Sequence, residues 1–283
     1  MTIIDRLAIN TAIFDGHDLK TSLKTIKGLG VNKVEFAFNQ GYVGQLDSDM
    51  FSATHAGYLN NLMEKEGLTT DALGCTMNLA SPNAIEEFMA RIDFAEQLGA
   101  VYLNTCTGPI ADRHLIVQNL KVLTDYAQDK GRIICIENGG DHNFNAFASA
   151  HDGVRILSEV ESEALALNFD PGNSVSLVPN LSPGEEAKIA LPFCRHFHVK
   201  DVKVHDDRFT FPALGQGIID YNTIIPALAA RTIPFSIEKP LRMYRRKDSF
   251  PIRGRAPETM DNIIHALAQS VDYITAASQP THR

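Results

Sequence analysis

A single (β/α)₈ TIM barrel spanning residues 1–283 is the fold class this sequence predicts, on three observations. Short apolar runs alternate with helical stripes along the whole chain. Eight such units fit into 283 residues at about 35 residues each, the usual size for this barrel. No Pro-, Gly- or Ser-rich linker divides them. The competing arrangement, an open doubly wound sheet, wants a phosphate loop beside its first strand, and the sequence has none there.

Each unit has its own signal. The first strand is expected over 6–14 (RLAINTAIF), followed by a helix whose stripe Leu19, Leu23 and Ile26 stops at Gly28. The second and third strands fall at 33–38 (KVEFAF) and 70–78 (TDALGCTMN). Ser81-Pro82 opens the next helix, and its stripe of Ile85, Phe88, Met89, Ile92 and Ala95 runs to Gly99, as cap chemistry requires. The remaining strands are placed at 100–106, 132–138, 164–170, 194–200 and 234–238. A last stripe, Met260, Ile263, Ile264, Leu267 and Val271, closes the series. Gly215-Gln-Gly-Ile-Ile-Asp220 begins like a dinucleotide fingerprint, but it lacks the third glycine and lies late in the chain. It reads as a loop entering a helix over 221–230.

Composition narrows the function classes. Hydrophobic residues make up 44% and charged residues 21%, enough to build a large core. No run of about 18 apolar residues predicts a membrane span, and the N-terminus lacks the basic start of a secretory signal, so a cytoplasmic location is expected. Lys and Arg number 26 against 34 Asp and Glu, the opposite of the balance a duplex nucleic-acid binder needs. Cys75, Cys106, Cys135 and Cys194 stand 31, 29 and 59 residues apart, which argues against zinc-ribbon and CxxC redox sites and for reduced, buried thiols.

The chemistry lies at the ends of strands five to eight. Side chains on a strand alternate with period two, so Ile134/Ile136, Leu165/Leu167/Phe169, Phe197/Val199 and Phe235/Ile237 face the helices. Glu137, Asp170, His198 and Glu238 then all face inward, near the C-terminal strand ends where barrel active sites are built. Three carboxylates and an imidazole at one mouth repel each other unless a cation neutralises them. An O,O,O,N donor set suits one divalent ion, Mn²⁺, Co²⁺ or Mg²⁺ ahead of Zn²⁺. The competing reading is an interior ion-pair network of Glu137 with Arg195 or Lys200. Glu35 and His196 read as structural hydrogen-bonding groups, since a buried carboxylate or imidazole needs a partner.

Five segments in this order, Ile136-Glu-Asn138, Asn168-Phe-Asp-Pro-Gly-Asn173, His196-Phe-His-Val-Lys-Asp201, Gly215-Gln-Gly-Ile-Ile-Asp220 and Ser236-Ile-Glu238, resemble the xylose-isomerase-like barrel superfamily. That superfamily holds sugar isomerases and epimerases, keto-inositol isomerases, 3-dehydroshikimate dehydratases and endonuclease IV. The resemblance implies metal ligation at Glu137, Asp170, His198 and Glu238, with Glu137 and Glu238 also moving protons. Chemistry independently supports the pairing: a cation on a carbonyl stabilises the enediolate, while carboxylates flanking the sugar take and return the C–H proton. Two departures concern the substrate. Asn173 stands where many members carry a substrate-touching His, and Lys200, Lys203 and His205 stand where the ketohexose epimerases place an Arg.

The segment from Lys239 to Arg255 carries seven cations against Asp248, a charge of +6 that leaves −14 for the rest of the chain. It reads either as a binding loop for an anionic substrate, with Arg242 at most roughly 14 Å from the metal along an extended chain, or as a subunit-interface loop of a homo-oligomer. The substrate-binding residues expected are therefore Asn173, Lys200, Arg242 and His142, the last in the Gly-rich loop after strand five. The expected activity is a metal-dependent isomerase or epimerase of a small keto-sugar, sugar acid or sugar phosphate. The alternative is a lyase of the 3-dehydroshikimate or keto-inositol dehydratase type on the same site. Repair of DNA would need more histidines, and Asn10, Asn78 and Asn104 stand at the early strand ends instead. A non-catalytic barrel would be expected to lose a ligand, and all four are present.

Overall fold

The computed structural model describes residues 2–39 and 46–279. In chain order the strands are β1 (Leu7–Asn10), β2 (Lys33–Ala37), β3 (Ala72–Gly74), β4 (Tyr102–Thr105), β5 (Ile133–Glu137), β6 (Leu165–Phe169), β7 (Cys194–Val199), β8 (Lys203–Val204), β9 (Arg208–Thr210), β10 (Phe235–Ile237), β11 (Met243–Arg246) and β12 (Pro251–Arg253). Eight of them close into a parallel barrel in the order β1-β10-β7-β6-β5-β4-β3-β2. Closure is made where Leu7 and Ile9 of β1 register with Phe235 and Ile237 of β10 on one side, and Ile9 with Val34 of β2 on the other. Every expected strand is present, shortened at its ends to the residues that pair.

The helices α1 (Leu19–Gly28), α2 (Ala53–Glu66), α3 (Ala84–Leu98), α4 (Arg113–Asp129), α5 (Ala150–Val160), α6 (Pro171–Leu177), α7 (Pro183–Ala190), α8 (Tyr221–Ala229) and α9 (Met260–Ala277) follow the strands. The apolar stripes of α1, α3 and α9 bury Leu23, Ile26, Phe88, Ile92, Ile263 and Leu267 against the outward faces of the strands. The four cysteines are free and buried, as their spacing suggests. No helix among the described residues is long and apolar enough to cross a membrane.

The sequence does not foretell the second sheet. Strands β8, β9, β11 and β12 form a four-stranded sheet in the order β12-β11-β9-β8, joining the loop after β7 to the basic segment after β10. The supposed basic loop is thus largely a hairpin with fixed register, Tyr244 opposite Ile252 and Arg245 opposite Phe209.

The Gly215–Asp220 segment has a structural task. Both oxygens of Asp201, just past β7, accept backbone N–H groups: Oδ2 from Gly215 (2.9 Å) and Gly217 (2.8 Å), Oδ1 from Val202 (2.8 Å) and Ile219 (3.2 Å). A Cβ on residue 217 would come within 2.1 Å of Asp201 Oδ1, so only glycine lets the loop wrap this carboxylate. Tyr221, which follows, donates its hydroxyl to the Lys200 carbonyl at 3.0 Å and accepts the Lys200 N–H at 2.8 Å. The loop therefore fixes the backbone immediately after β7.

Candidate active site

Glu137 ends β5, Asp170 follows β6, His198 lies on β7 and Glu238 follows β10, all at the C-terminal end of the barrel. One ligand atom from each of the four lies within 4.8 Å of the others. His198 Nδ1 is 3.3 Å from Glu137 Oε1 and 3.8 Å from Glu238 Oε2. Its Nε2 is turned the other way, 3.0 and 3.1 Å from the two oxygens of Glu35 on β2. Glu35 thus fixes the ring so that Nδ1 faces the carboxylates, the support that a metal-ligating histidine usually has. His196, one layer deeper, is a satisfied core histidine, 3.1 Å from Asn168 Oδ1 and 3.2 Å from Ser236 Oγ.

Amide groups orient the two key carboxylates. Asn173 Nδ2 donates to Glu137 Oε1 at 2.8 Å, and Asn168 Nδ2 donates to Oε2 at 3.2 Å. Asp170 Oδ1 accepts the N–H groups of Gly172 and Asn173 at the start of α6, while Asn138 holds its backbone N–H and C=O. Lys200 Nζ bridges Asp170 Oδ2 at 2.6 Å and Glu238 Oε2 at 2.5 Å. The ion-pair reading therefore holds for Lys200, though toward Asp170 and Glu238 rather than Glu137. Arg195 is exposed and takes no part in it.

Burial and crowding separate the titrations. Burial raises Glu137 to about 7 despite the His198 charge, with the Glu238 carboxylate adding to the rise. Asp170 is raised for the same leading reason, against the pull of Lys200. Burial would also raise Glu238, but Lys200 and His198 hold it down at about 2. His198 is pushed down by burial yet held well above its ordinary value by Glu35, Glu137 and Glu238. Burial drives His196 down to about 3, so it stays neutral. Glu137 and Asp170, held up chiefly by burial, stand with Glu238 and His198 as a donor set that a divalent cation fits: three oxygens and one oriented imidazole nitrogen.

Glu137 and Glu238 open onto a cavity of about 160 Å³. Its lining includes the polar and charged Glu137, Asn173, Lys200 and Glu238, the neutral polar Thr11, Asn39 and Thr76, and the apolar Phe211, Pro240, Met243 and Pro251. Of the four expected substrate contacts, Asn173 and Lys200 line this cavity. Arg242 and His142 lie outside its lining. Arg242 gives its guanidinium to the carbonyls of Gly254 (2.9 Å) and Arg255 (3.1 Å) and lies 3.5 Å from Asp15 Oδ1. His142 is exposed and packs edge-on against Phe250. Besides Lys200, the cation that lines the cavity is Arg245, which sequence reasoning passed over; the missing signal was strand alternation through 243–246.

Residues 23–271 match the model of the xylose isomerase-like TIM barrel family. The chain belongs to that family. No curated protein matches it in sequence. Among solved structures the family barrel superposes on D-psicose 3-epimerase from Clostridium cellulolyticum H10, in a complex with D-tagatose, at 16% identity and a TM-score of 0.74, covering 97% of this chain and all of the other. L-Ribulose 3-epimerase gives 16% identity and a TM-score of 0.71 over 98% of this chain and 99% of that one. A xylose isomerase-like TIM barrel protein from Mycobacterium smegmatis, in complex with magnesium, gives 19% and 0.69 over 97% and 98%. At these identities the likeness establishes the shared fold.

Proposed function

We propose that this family member is a divalent-metal-dependent isomerase or epimerase that moves a proton beside the carbonyl of a small keto-sugar, sugar acid or sugar phosphate. One observation carries the reading: two glutamates, Glu137 and Glu238, line one small cavity from strands three apart around the barrel, with Asp170 and His198 between them. Glu137, Asp170, His198 and Glu238 would hold the cation, Mn²⁺, Co²⁺ or Mg²⁺ before Zn²⁺, which supplies Lewis-acid stabilisation of charge on the substrate's carbonyl oxygen. The chain's own residues do the rest. Glu137 and Glu238 take and return the proton, a role worth about 10²–10⁴-fold in rate. Asn173 and Asn168 fix the carboxylate plane of Glu137, and Lys200 orients Glu238. Thr11, Asn39 and Thr76 are placed to hydrogen-bond substrate hydroxyls, and Phe211, Met243 and Pro251 keep water from the reacting carbon. The ketose 3-epimerases among the similar structures lend this reading weight as analogy.

The test is ¹H NMR of ketoses, ketouronates and ketose phosphates incubated with the Mn²⁺-loaded protein in D₂O. The expected result is deuterium entering beside the carbonyl together with an isomer or epimer. Loss of water from the ring of a dehydroshikimate or keto-inositol would assign the lyase chemistry instead, and no exchange on any compound would overturn the proton-transfer reading.

A further inference from the structure

Lys200 follows β7 in the same phase as His196 and His198, so its side chain enters the barrel. It is 2% exposed, and its ammonium reaches two carboxylates of the four-residue cluster. Nζ lies 2.6 Å from Asp170 Oδ2 and 2.5 Å from Glu238 Oε2. Which oxygens it takes is the informative detail. Asp170 Oδ1 already accepts the N–H groups of Gly172 and Asn173, so Oδ2 is the oxygen left to face another charge. Glu238 Oε2 is the oxygen that stands 3.8 Å from His198 Nδ1, the nitrogen turned toward the cluster. Lys200 therefore engages the cluster's own donor atoms.

The fold holds it in that place. The N–H and C=O of Lys200 are fixed by the Tyr221 hydroxyl, and Asp201 beside it is wrapped by the 215–219 backbone. Gly172 leaves room for the stem: a Cβ there would lie 3.1 Å from Lys200 Cγ and 2.6 Å from its carbonyl oxygen. The centroid of the Phe211 ring stands 5.6 Å from Nζ and adds a cation–π contact. Glu35 supplies the contrast. It takes His198 Nε2 and leaves Nδ1 to the cluster, which supports a metal ligand from behind. Lys200 instead brings a positive charge onto the oxygens a divalent cation would need.

We propose that Lys200 is a built-in competitor of the divalent ion, a positioning residue that shares Asp170 and Glu238 with the metal and sets how tightly it is held. The inference rests on the metal-dependent reading above and assigns this residue its part in that site. Two positive charges on the same carboxylates repel each other, and burial makes that repulsion stronger than it would be in water. Metal binding must therefore loosen the Lys200 ion pairs, and by linkage those pairs weaken the metal to the same degree. The same ammonium offsets the repulsion among the carboxylates themselves, so the protein tolerates the cluster before the ion arrives. The site trades metal affinity for a stable fold and an exchangeable ion.

Calorimetric titration of the EDTA-treated protein with Mn²⁺ tests this without requiring turnover. Lys200→Met is expected to bind Mn²⁺ ~10–100-fold more tightly than the wild type, and Lys200→Gln to change in the same direction. Thermal melts give a second signature. In EDTA the variants should melt below the wild type, and Mn²⁺ should raise their melting temperature by more than it raises that of the wild type. A residue that merely supported the ligands would lower stability and metal affinity together. If the variants fold only with metal, they are purified in Mn²⁺ and the rate at which EDTA strips the ion is measured; it should be slower than for the wild type. Equal or weaker Mn²⁺ affinity in both variants, or equal or faster stripping, would overturn the competition while a wild type that binds one Mn²⁺ leaves the metal reading standing. No Mn²⁺ binding by the wild type or either variant would overturn the metal reading itself, and the competition with it.

Discussion

The two halves of the barrel carry their polar groups for different ends. From β5, β6, β7 and β10 come Glu137, Asp170, His198, Lys200 and Glu238, charged groups that meet the cavity or each other. From β1 to β4 and the segments that follow them, the cavity receives Thr11, Ala12, Ala37, Asn39, Thr76 and Cys106, and its one carboxylate, Asp15, is already held by Arg253 and Arg242. Glu35 is the exception that explains the arrangement. It belongs to the neutral half, yet it reaches across the barrel to His198 and takes Asn104 Nδ2 at 2.8 Å, while the His198 charge holds it well below the usual carboxylate range against its burial. One half gathers the charged groups at the barrel mouth; the other lines the cavity chiefly with small and neutral side chains.

That division can be broken at several strengths. The largest effect is expected from removing the ion the reactive half is proposed to hold: EDTA should abolish turnover, and Mn²⁺, Co²⁺ or Mg²⁺ should restore it. Full activity in protein shown metal-free by elemental analysis would end the metal assignment. Next, Glu137→Gln and Glu238→Gln should each cut kcat by about 10²–10⁴-fold with an unchanged far-UV spectrum. A near wild-type rate in either variant would remove that residue from proton transfer. Smaller again, Glu35→Gln keeps the shape of the orienting group but loses its charge, and should weaken Mn²⁺ binding by about 10–100-fold by calorimetry, with kcat largely recovered at saturating metal. A loss in kcat as deep as that of Glu137→Gln at saturating Mn²⁺ would place Glu35 in the chemistry and dissolve the contrast between the halves.

The strand ends were legible because two periodicities coincide in them. Alternation assigns a face to each residue, and the C-terminal edge of a barrel strand assigns a depth, so Glu137, Asp170, His198 and Glu238 could be brought together without any contact being known. Glu35 was readable as a hydrogen-bonding carboxylate but not as the partner of His198, because 163 residues separate them and nothing local encodes the pairing. The second sheet was hidden for a different reason. Its strands are two to four residues long and rich in Lys and Arg, and the two hairpins join only through the distant pairing of β9 with β11, as between Phe209 and Arg245. A charge run such as Met243-Tyr-Arg-Arg246 looks solvated until it is known to be a strand. Once it is, the phase set by Met243 puts Arg245 rather than Arg242 on the cavity face.

The cross-pairing of β9 with β11 also bears on how such a protein could diversify. The wall it forms is woven from two separate βα connections, and an insertion in either would lose register with the other unless matched by a change in its partner. New selectivity is therefore reached by altering side chains on a fixed weave, or by exchanging both connections together. Grafting one of them alone into a related barrel would carry over the residues without the geometry that aims them.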